Sequence, residues 1–176
     1  MSGIAPFRIR NTSIVLDADG ATTATLTKGA VEGLIASGAV QEVDVTIPGG
    51  TGAGHVGSLH GTPVQVVAAP AAGKWIDLQG VEVMLDYGTA AYDGVGAGEK
   101  LGLYYNGGAL CSQEINGVGF ADQASDQHRA VGRADSTTPL AATAIVAEIT
   151  SDEWYAAAGD SPLKIRVRYI ERTLLT

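Results

Sequence analysis

Residues 163 to 169, Leu-Lys-Ile-Arg-Val-Arg-Tyr, alternate apolar and cationic side chains without a break. A period of two sends alternate side chains to opposite faces, so this stretch reads as a strand with one buried and one solvated face. The same period recurs upstream. Val64, Val66 and Ala68 share a face. Within the run from Trp75 to Tyr87, Val81, Val83, Leu85 and Tyr87 alternate with Glu82, Met84 and Asp86. Leu101, Leu103 and Tyr105 form another strand, closed by the hairpin dipeptide Asn106-Gly107, with Ala109 to Ile115 as its partner. Ile145, Ala147 and Ile149 alternate with Val146 and Glu148. From residue 62 onward this makes about seven short strands separated by turn signals. No long 3.6-residue period supplies the crossover helices that a parallel sheet needs. The expected fold class is mainly β, an antiparallel β-sandwich or jelly-roll-like domain over residues 62–176.

Residues 1–47 read as a small β-rich module with one short helix. Ile14 to Leu16 and Thr22 to Leu26 are short strands around the turn Asp17-Ala18-Asp19-Gly20. Thr27 caps a helix from Lys28 to about Ser37, on which Val31, Leu34 and Ile35 form one apolar face. Gly38 ends it. Val43, Val45 and Ile47 then alternate with Glu42, Asp44 and Thr46 as a half-buried strand that closes the module. Residues 48–61 hold six glycines and read as a linker or arm.

That linker contains Gly52-Ala53-Gly54-His55-Val56-Gly57, which spells the dinucleotide-binding fingerprint G-x-G-x-x-G. The fingerprint works only where its last glycine opens a helix whose N-terminus meets the pyrophosphate. Here Gly61 and Pro63 follow within six residues and leave no room for that helix. Ala72-Gly73-Lys74 fails as a phosphate loop, because position 68 is Ala and position 75 is Trp. His55, His60 and His128 have no spacing that demands a metal. No nucleophile elbow and no calcium loop can be read. Cys111 falls in a predicted hairpin strand and reads as a small packed residue. No catalytic residue, cofactor or metal site is expected, and the chain does not read as an enzyme.

The charge balance narrows the partners. The formal net charge is −8, which argues against nucleic acid. It is uneven: Lys164, Arg166, Arg168 and Arg172 gather near the end of the chain, where they can meet an acidic surface of the same fold or of a neighbour. No apolar run is long enough for a membrane span. The opening Met-Ser-Gly-Ile-Ala-Pro-Phe-Arg lacks the pattern of a signal peptide, so synthesis in a cytoplasm is expected.

Three stretches carry a resemblance. They are TPVQVVAAPAAGKWIDLQGVEVMLDYGTAAYD (62–93), GFADQASDQHRAV (119–131) and AGDSPLKIRVRYIERT (158–173). Their succession is similar to that in tailed-bacteriophage virion structural proteins of the capsid decoration or cement type: a Thr-Pro-Val strand start, a Pro-x-x-Gly-Lys turn, a Leu-Asp-Tyr-Gly strand end and a closing Gly-Asp-Ser-Pro-Leu strand. The likeness spans residues 59–170 and rests on turns and strand ends. It implies a protein of the virion surface that stabilises the shell, with the major capsid protein as partner and a homo-oligomer, first of all a trimer, as its form. The regions expected to meet a partner are Phe7, Arg8, Ile9 and Arg10, the glycine-rich arm with Gly52, Gly54 and His55, and the cationic strand with Arg166 and Arg168. A tail, neck or fibre-base protein is the structural alternative. A carbohydrate-binding β-sandwich using Trp75 or Trp154 is the alternative of another class.

Overall fold

In the computed structural model the alternating stretches pair into antiparallel sheets. Residues 14–17, 23–26, 38–154 and 158–174 are described, and the chain divides into two units, Met1–Ala39 and Val40–Thr176. In the first unit β1 (Ile14–Asp17) pairs with β2 (Thr23–Leu26), Ile14 opposite Leu26 and Asp17 opposite Thr23. The expected helix from Lys28 to Ser37 and the contact residues Phe7 to Arg10 lie outside the described residues.

The second unit contains eight strands: β3 (Gln41–Ile47), β4 (Val64–Val67), β5 (Lys74–Leu85), β6 (Lys100–Tyr105), β7 (Ile115–Asn116), β8 (Gln127–Val131), β9 (Ile145–Ile149) and β10 (Leu163–Thr173). The outermost strands of the sequence pair first: β3 with β10, β4 with β9, β5 with β8, and β6 with β7. Two further pairings, β10 with β5 and β9 with β6, roll this long hairpin into two four-stranded sheets. Their orders are β3-β10-β5-β8 and β4-β9-β6-β7, a jelly-roll-like arrangement.

The period of two explains the core. Val81, Val83 and Leu85 of β5 and Leu163, Ile165 and Val167 of β10 are buried from one sheet. Leu101, Leu103 and Tyr105 of β6 and Ile145, Ala147 and Ile149 of β9 are buried from the other. Each such large apolar side chain contributes about 1.5–3 kcal/mol on burial. Phe120, Tyr92 and Trp154 extend the core through tilted ring contacts, with centroids 6.2 and 6.4 Å from Trp154. Trp154 is fully buried. Among the described residues no helix is long and apolar enough to cross a membrane.

Three sequence expectations are corrected. The strand at residues 41–47 belongs to the sandwich rather than to the N-terminal module: Val43, Val45 and Ile47 lie opposite Val167, Ile165 and Leu163 of β10. Its apolar face needs a core, and this sheet offers one. The glycine-rich stretch is neither a linker nor a free arm. It is the crossing between the two sheets, and it packs: Val56, Gly57, Ser58 and Leu59 are buried around one 3-10 turn. The partner strand expected at Ala109–Ile115 is broken. Leu110 bridges Tyr104, and Ser112 then turns aside to bridge Arg133 before β7 resumes at Ile115. The Ser112 hydroxyl accepts a bond from the Leu103 N–H at 3.0 Å, which supplies the acceptor a regular strand would have offered.

Candidate functional site

The stretches that carry the resemblance meet in part, although the first also contains β4 of the other sheet. Residues 74–85 form β5, 127–131 form β8 and 163–173 form β10, three adjacent strands of one sheet. Their flanking turns interlock at one end of that sheet. The Asp160 carboxylate accepts bonds from the Thr89 hydroxyl at 2.6 Å, the Thr89 N–H at 2.8 Å and the Ala90 N–H at 2.9 Å. These bonds, the Thr89 hydroxyl first, hold the Asp160 carboxyl below its ordinary pKa. Ser161 accepts from the Gly88 N–H at 3.2 Å, and Asp126 accepts from the Tyr87 N–H at 2.8 Å. Lys164 pairs with Asp86 at 2.7 Å. The Leu-Asp-Tyr-Gly and Gly-Asp-Ser-Pro-Leu motifs are therefore two halves of one corner.

The glycine-rich crossing is tied to the same corner. The Tyr92 hydroxyl donates to the Ser161 carbonyl at 2.8 Å and accepts from the Gly50 N–H at 3.2 Å. Gly52 and Gly54 have φ of +101° and +80°, a left-handed backbone that side chains disfavour. The N–H of Gly52 donates to the Ser58 hydroxyl and that of Gly54 to the Thr62 hydroxyl. The glycines thus fold the loop onto itself, and no helix N-terminus stands ready for a phosphate. His55 lies beside the Ala53 carbonyl, and His60 Nδ1 donates to the Ile149 carbonyl at 2.9 Å. Among the described residues no three metal-binding side chains gather.

Arg166 and Arg168 stand on the exposed face of the β3-β10-β5-β8 sheet, where register decides their partners. Arg166 lies between Asp44 and Glu82, and Arg168 between Glu42 and Gly80. Arg166 grips Asp44 with two bonds, at 2.8 and 3.0 Å. Arg168 reaches Glu42 at 3.0 Å and Glu82 at 2.8 Å. The bond to Arg166 lowers the Asp44 pKa, and the bonds to Asp44 and to Glu42 raise those of Arg166 and Arg168 respectively. The cationic strand thus meets the acids of its own fold. All these groups are exposed, so the pairs add little stability and mainly pattern the surface. Beside them a groove of about 380 Å³ runs past Thr46, Met84, His128 and Lys164.

At the opposite end of β5 and β10 a second concavity opens, of about 370 Å³. Its wall includes Trp75, Asp77, Tyr105, Arg133, Ser136 and Thr137. Asp77 is buried and paired with both Arg172 and Arg133. The Cys111 thiol also borders this space, and burial pushes its pKa up to about 12.

No family model, no curated protein and no solved structure matches this chain.

The chemistry described among these residues is that of an exposed charge ladder, a groove beside it and a polar concavity. Cys111 is held as a thiol, which is a weak nucleophile, and its Sγ lies 3.6 Å from the Ala109 carbonyl. Of the two tryptophans, Trp154 belongs to the core and Trp75 borders the concavity. Sequence reasoning missed Asp77 and Arg133 as a pair. The one local signal was an acid at position 77 between Ile76 and Leu78, both buried, in a stretch that otherwise reads as strand.

Proposed function

We propose that this chain is a structural virion protein that binds the outside of a phage capsid shell and stabilises it. The observation that carries the reading is the interlocked corner. Two of the motifs through which the sequence resembles decoration proteins, Leu-Asp-Tyr-Gly and Gly-Asp-Ser-Pro-Leu, are far apart in the chain, yet they meet with the 119–131 stretch at one end of the β10-β5-β8 strands.

A cement protein works by covering joints between shell subunits with many modest contacts. The exposed face of β3, β10 and β5 suits that task, since its charges are fixed in a regular ladder of both signs and can exchange partners with a complementary ladder. On this reading Arg166 and Arg168 meet the major capsid protein, Phe7 to Arg10 provide a second contact, and three copies gather on a local threefold axis. The protein is made in the host cytoplasm, ends on the virion surface and performs no catalysis.

The test is co-sedimentation of the purified protein with shells of its own phage that lack it. Binding and a rise in shell melting temperature are expected. Arg166→Glu with Arg168→Glu should reduce binding at least about tenfold, the scale of one buried charge contact. Shells that neither retain the protein nor melt at a higher temperature in its presence refute the reading.

A further inference from the structure

The concavity at the far end of β5 and β10 is built unlike a simple gap in packing. Asp77 sits in a strand, and its side chain is only 6% exposed. Burying a carboxylate is costly unless it is paired, and here two guanidiniums pair it. Arg172 takes Asp77 Oδ2 through its Nε. Arg133 reaches Oδ1 through one nitrogen at 3.4 Å, a long bond from a side chain that is 66% exposed. An ionised carboxylate has about four acceptor positions and a guanidinium five N–H groups, so both groups keep capacity toward the cavity.

The rest of the wall adds three elements. Trp75 is half-buried and offers an indole surface. Tyr105 donates its hydroxyl to the Ile76 carbonyl at 2.7 Å, and Thr137 donates to the Leu110 carbonyl at 3.1 Å, which fixes both oxygens as acceptors on the wall. Ser136 adds an exposed hydroxyl.

Charge decides the ligand class. The carboxylates of the wall, Asp77 and Asp135, are balanced by two guanidiniums, Arg133 on the wall and Arg172, which pairs Asp77 from outside it. A phosphate or carboxylate ligand would find no net positive charge there to hold it. A purely apolar ligand would strand the polar groups. What fits is a neutral molecule with hydroxyls along its edges and a C–H face for the indole. The volume lies at the lower end of the range of small-molecule sites, which are roughly 300–1,000 Å³.

We propose that this cavity binds one neutral sugar residue, with Trp75 stacking on the ring, Asp77 accepting from two ring hydroxyls and Arg133 and Ser136 completing the hydrogen bonding. The site lies at the other end of the sheet from the interlocked corner, and it stands or falls independently of the shell-binding reading. The sugar can be free or the terminal residue of a glycan.

The test titrates the purified full chain with a panel of neutral monosaccharides and neutral oligosaccharides, alongside a uronic acid and an amino sugar. Tryptophan fluorescence and ligand-observed NMR are the readouts. Trp75 supplies the fluorescence change, because Trp154 is fully buried in the core. A saturable response with a dissociation constant of about 1 mM is expected for a single residue. Trp75→Ala and, by NMR, Ser136→Ala should each weaken binding, the first at least about tenfold. Trp75→Phe should keep part of it. Circular-dichroism melting confirms that each variant is folded, and Ser136→Ala, an exposed change, keeps the test open if Trp75→Ala unfolds. Tighter binding of oligosaccharides than of monosaccharides identifies a glycan end as the source, and equal binding identifies a free sugar. The proposal is overturned by a flat response to every neutral sugar, by a response to the charged sugars alone, or by one that Trp75→Ala leaves unchanged.

Discussion

Tyr92→Phe removes one oxygen atom and tests how the glycine-rich crossing is held. Tyr92 is 2% exposed, and its hydroxyl bonds to both the Ser161 carbonyl and the Gly50 N–H. The ring and its contact with Trp154 survive the change. A net hydrogen bond is worth about 1 kcal/mol, and a buried partner left unsatisfied costs about 1–3 kcal/mol. Gly50 lies near the surface and can turn to water, whereas the Ser161 carbonyl is enclosed, so the expected loss is about 2 kcal/mol. For a folded unit of this length that lowers the melting temperature by about 7 °C. Calorimetry measures the shift, and amide exchange at Gly50 should accelerate in the variant. The alkaline limb provides a second check. Burial raises the Tyr92 pKa from 10.0 to about 12, with the Gly50 N–H opposing the rise and the charge of Asp160 adding to it. The folded state therefore holds this proton more tightly than the unfolded one. The resulting stability is intact below pH 10 and is lost as pH rises through about 12. Tyr92→Phe should flatten that decline, in part only, because burial also raises Tyr104 and Tyr105. A variant that melts within about 1 °C of the parent, with Gly50 still protected, would show that Val56 and Leu59 hold the crossing by burial alone.

Two further outcomes follow from the same corner. Gly159 has φ +133°, and a Cβ there would run into the Tyr92 ring, so Gly159→Ala should cost about 2–4 kcal/mol in urea denaturation. Gly132, with open space around it, should tolerate alanine within about 0.5 kcal/mol; equal losses at both positions would contradict this packing. On the acid side, Asp44 and Asp160 have lowered pKa values in the folded state, so their contribution is present above the ordinary carboxylate range and is lost as pH falls below it through the lowered folded-state values. Melting temperature followed from about pH 5 to pH 2.5 should drop less steeply in Asp160→Asn than in the parent, and parallel curves would contradict the assignment.

The sandwich was legible because its strands write burial directly into a two-residue period. Residues 163–169 and 81–85 need no partner to declare which side faces inward. The strand β8 escaped notice for the opposite reason. It is an edge strand, and His128, Arg129 and Ala130 are all exposed, so it carries no alternation to read. The glycine-rich crossing was misread because six glycines suggest freedom, while Val56 and Leu59, only three apart, are its anchors. The charge ladder was half-visible. The sequence shows cations at 164, 166 and 168, but the acids at 44 and 42 that Arg166 and Arg168 meet lie more than a hundred residues away. Register between distant strands is a tertiary property. The same holds for Asp77 and Arg133, which are brought together by the pairing of β5 with β8.

The placement of β10 has a consequence for biosynthesis. It is the final strand of its unit to leave the ribosome, yet it sits between β3 and β5 and completes both. Until it emerges, those two strands each present an unpaired edge, and Val43, Val45, Val81 and Val83 lack their neighbours. The first sheet cannot close before β10 arrives. The β4-β9-β6-β7 sheet and the β5-β8 pair need no residue of β10, but β3 has no other partner strand among the described residues, and its edges stay open to association with other copies in the interval. The alternating charges of β10 and β3 act at that moment as a sorting code: Arg166 and Arg168 find acids on both flanks in only one register, and a slip of one residue would turn them into the core.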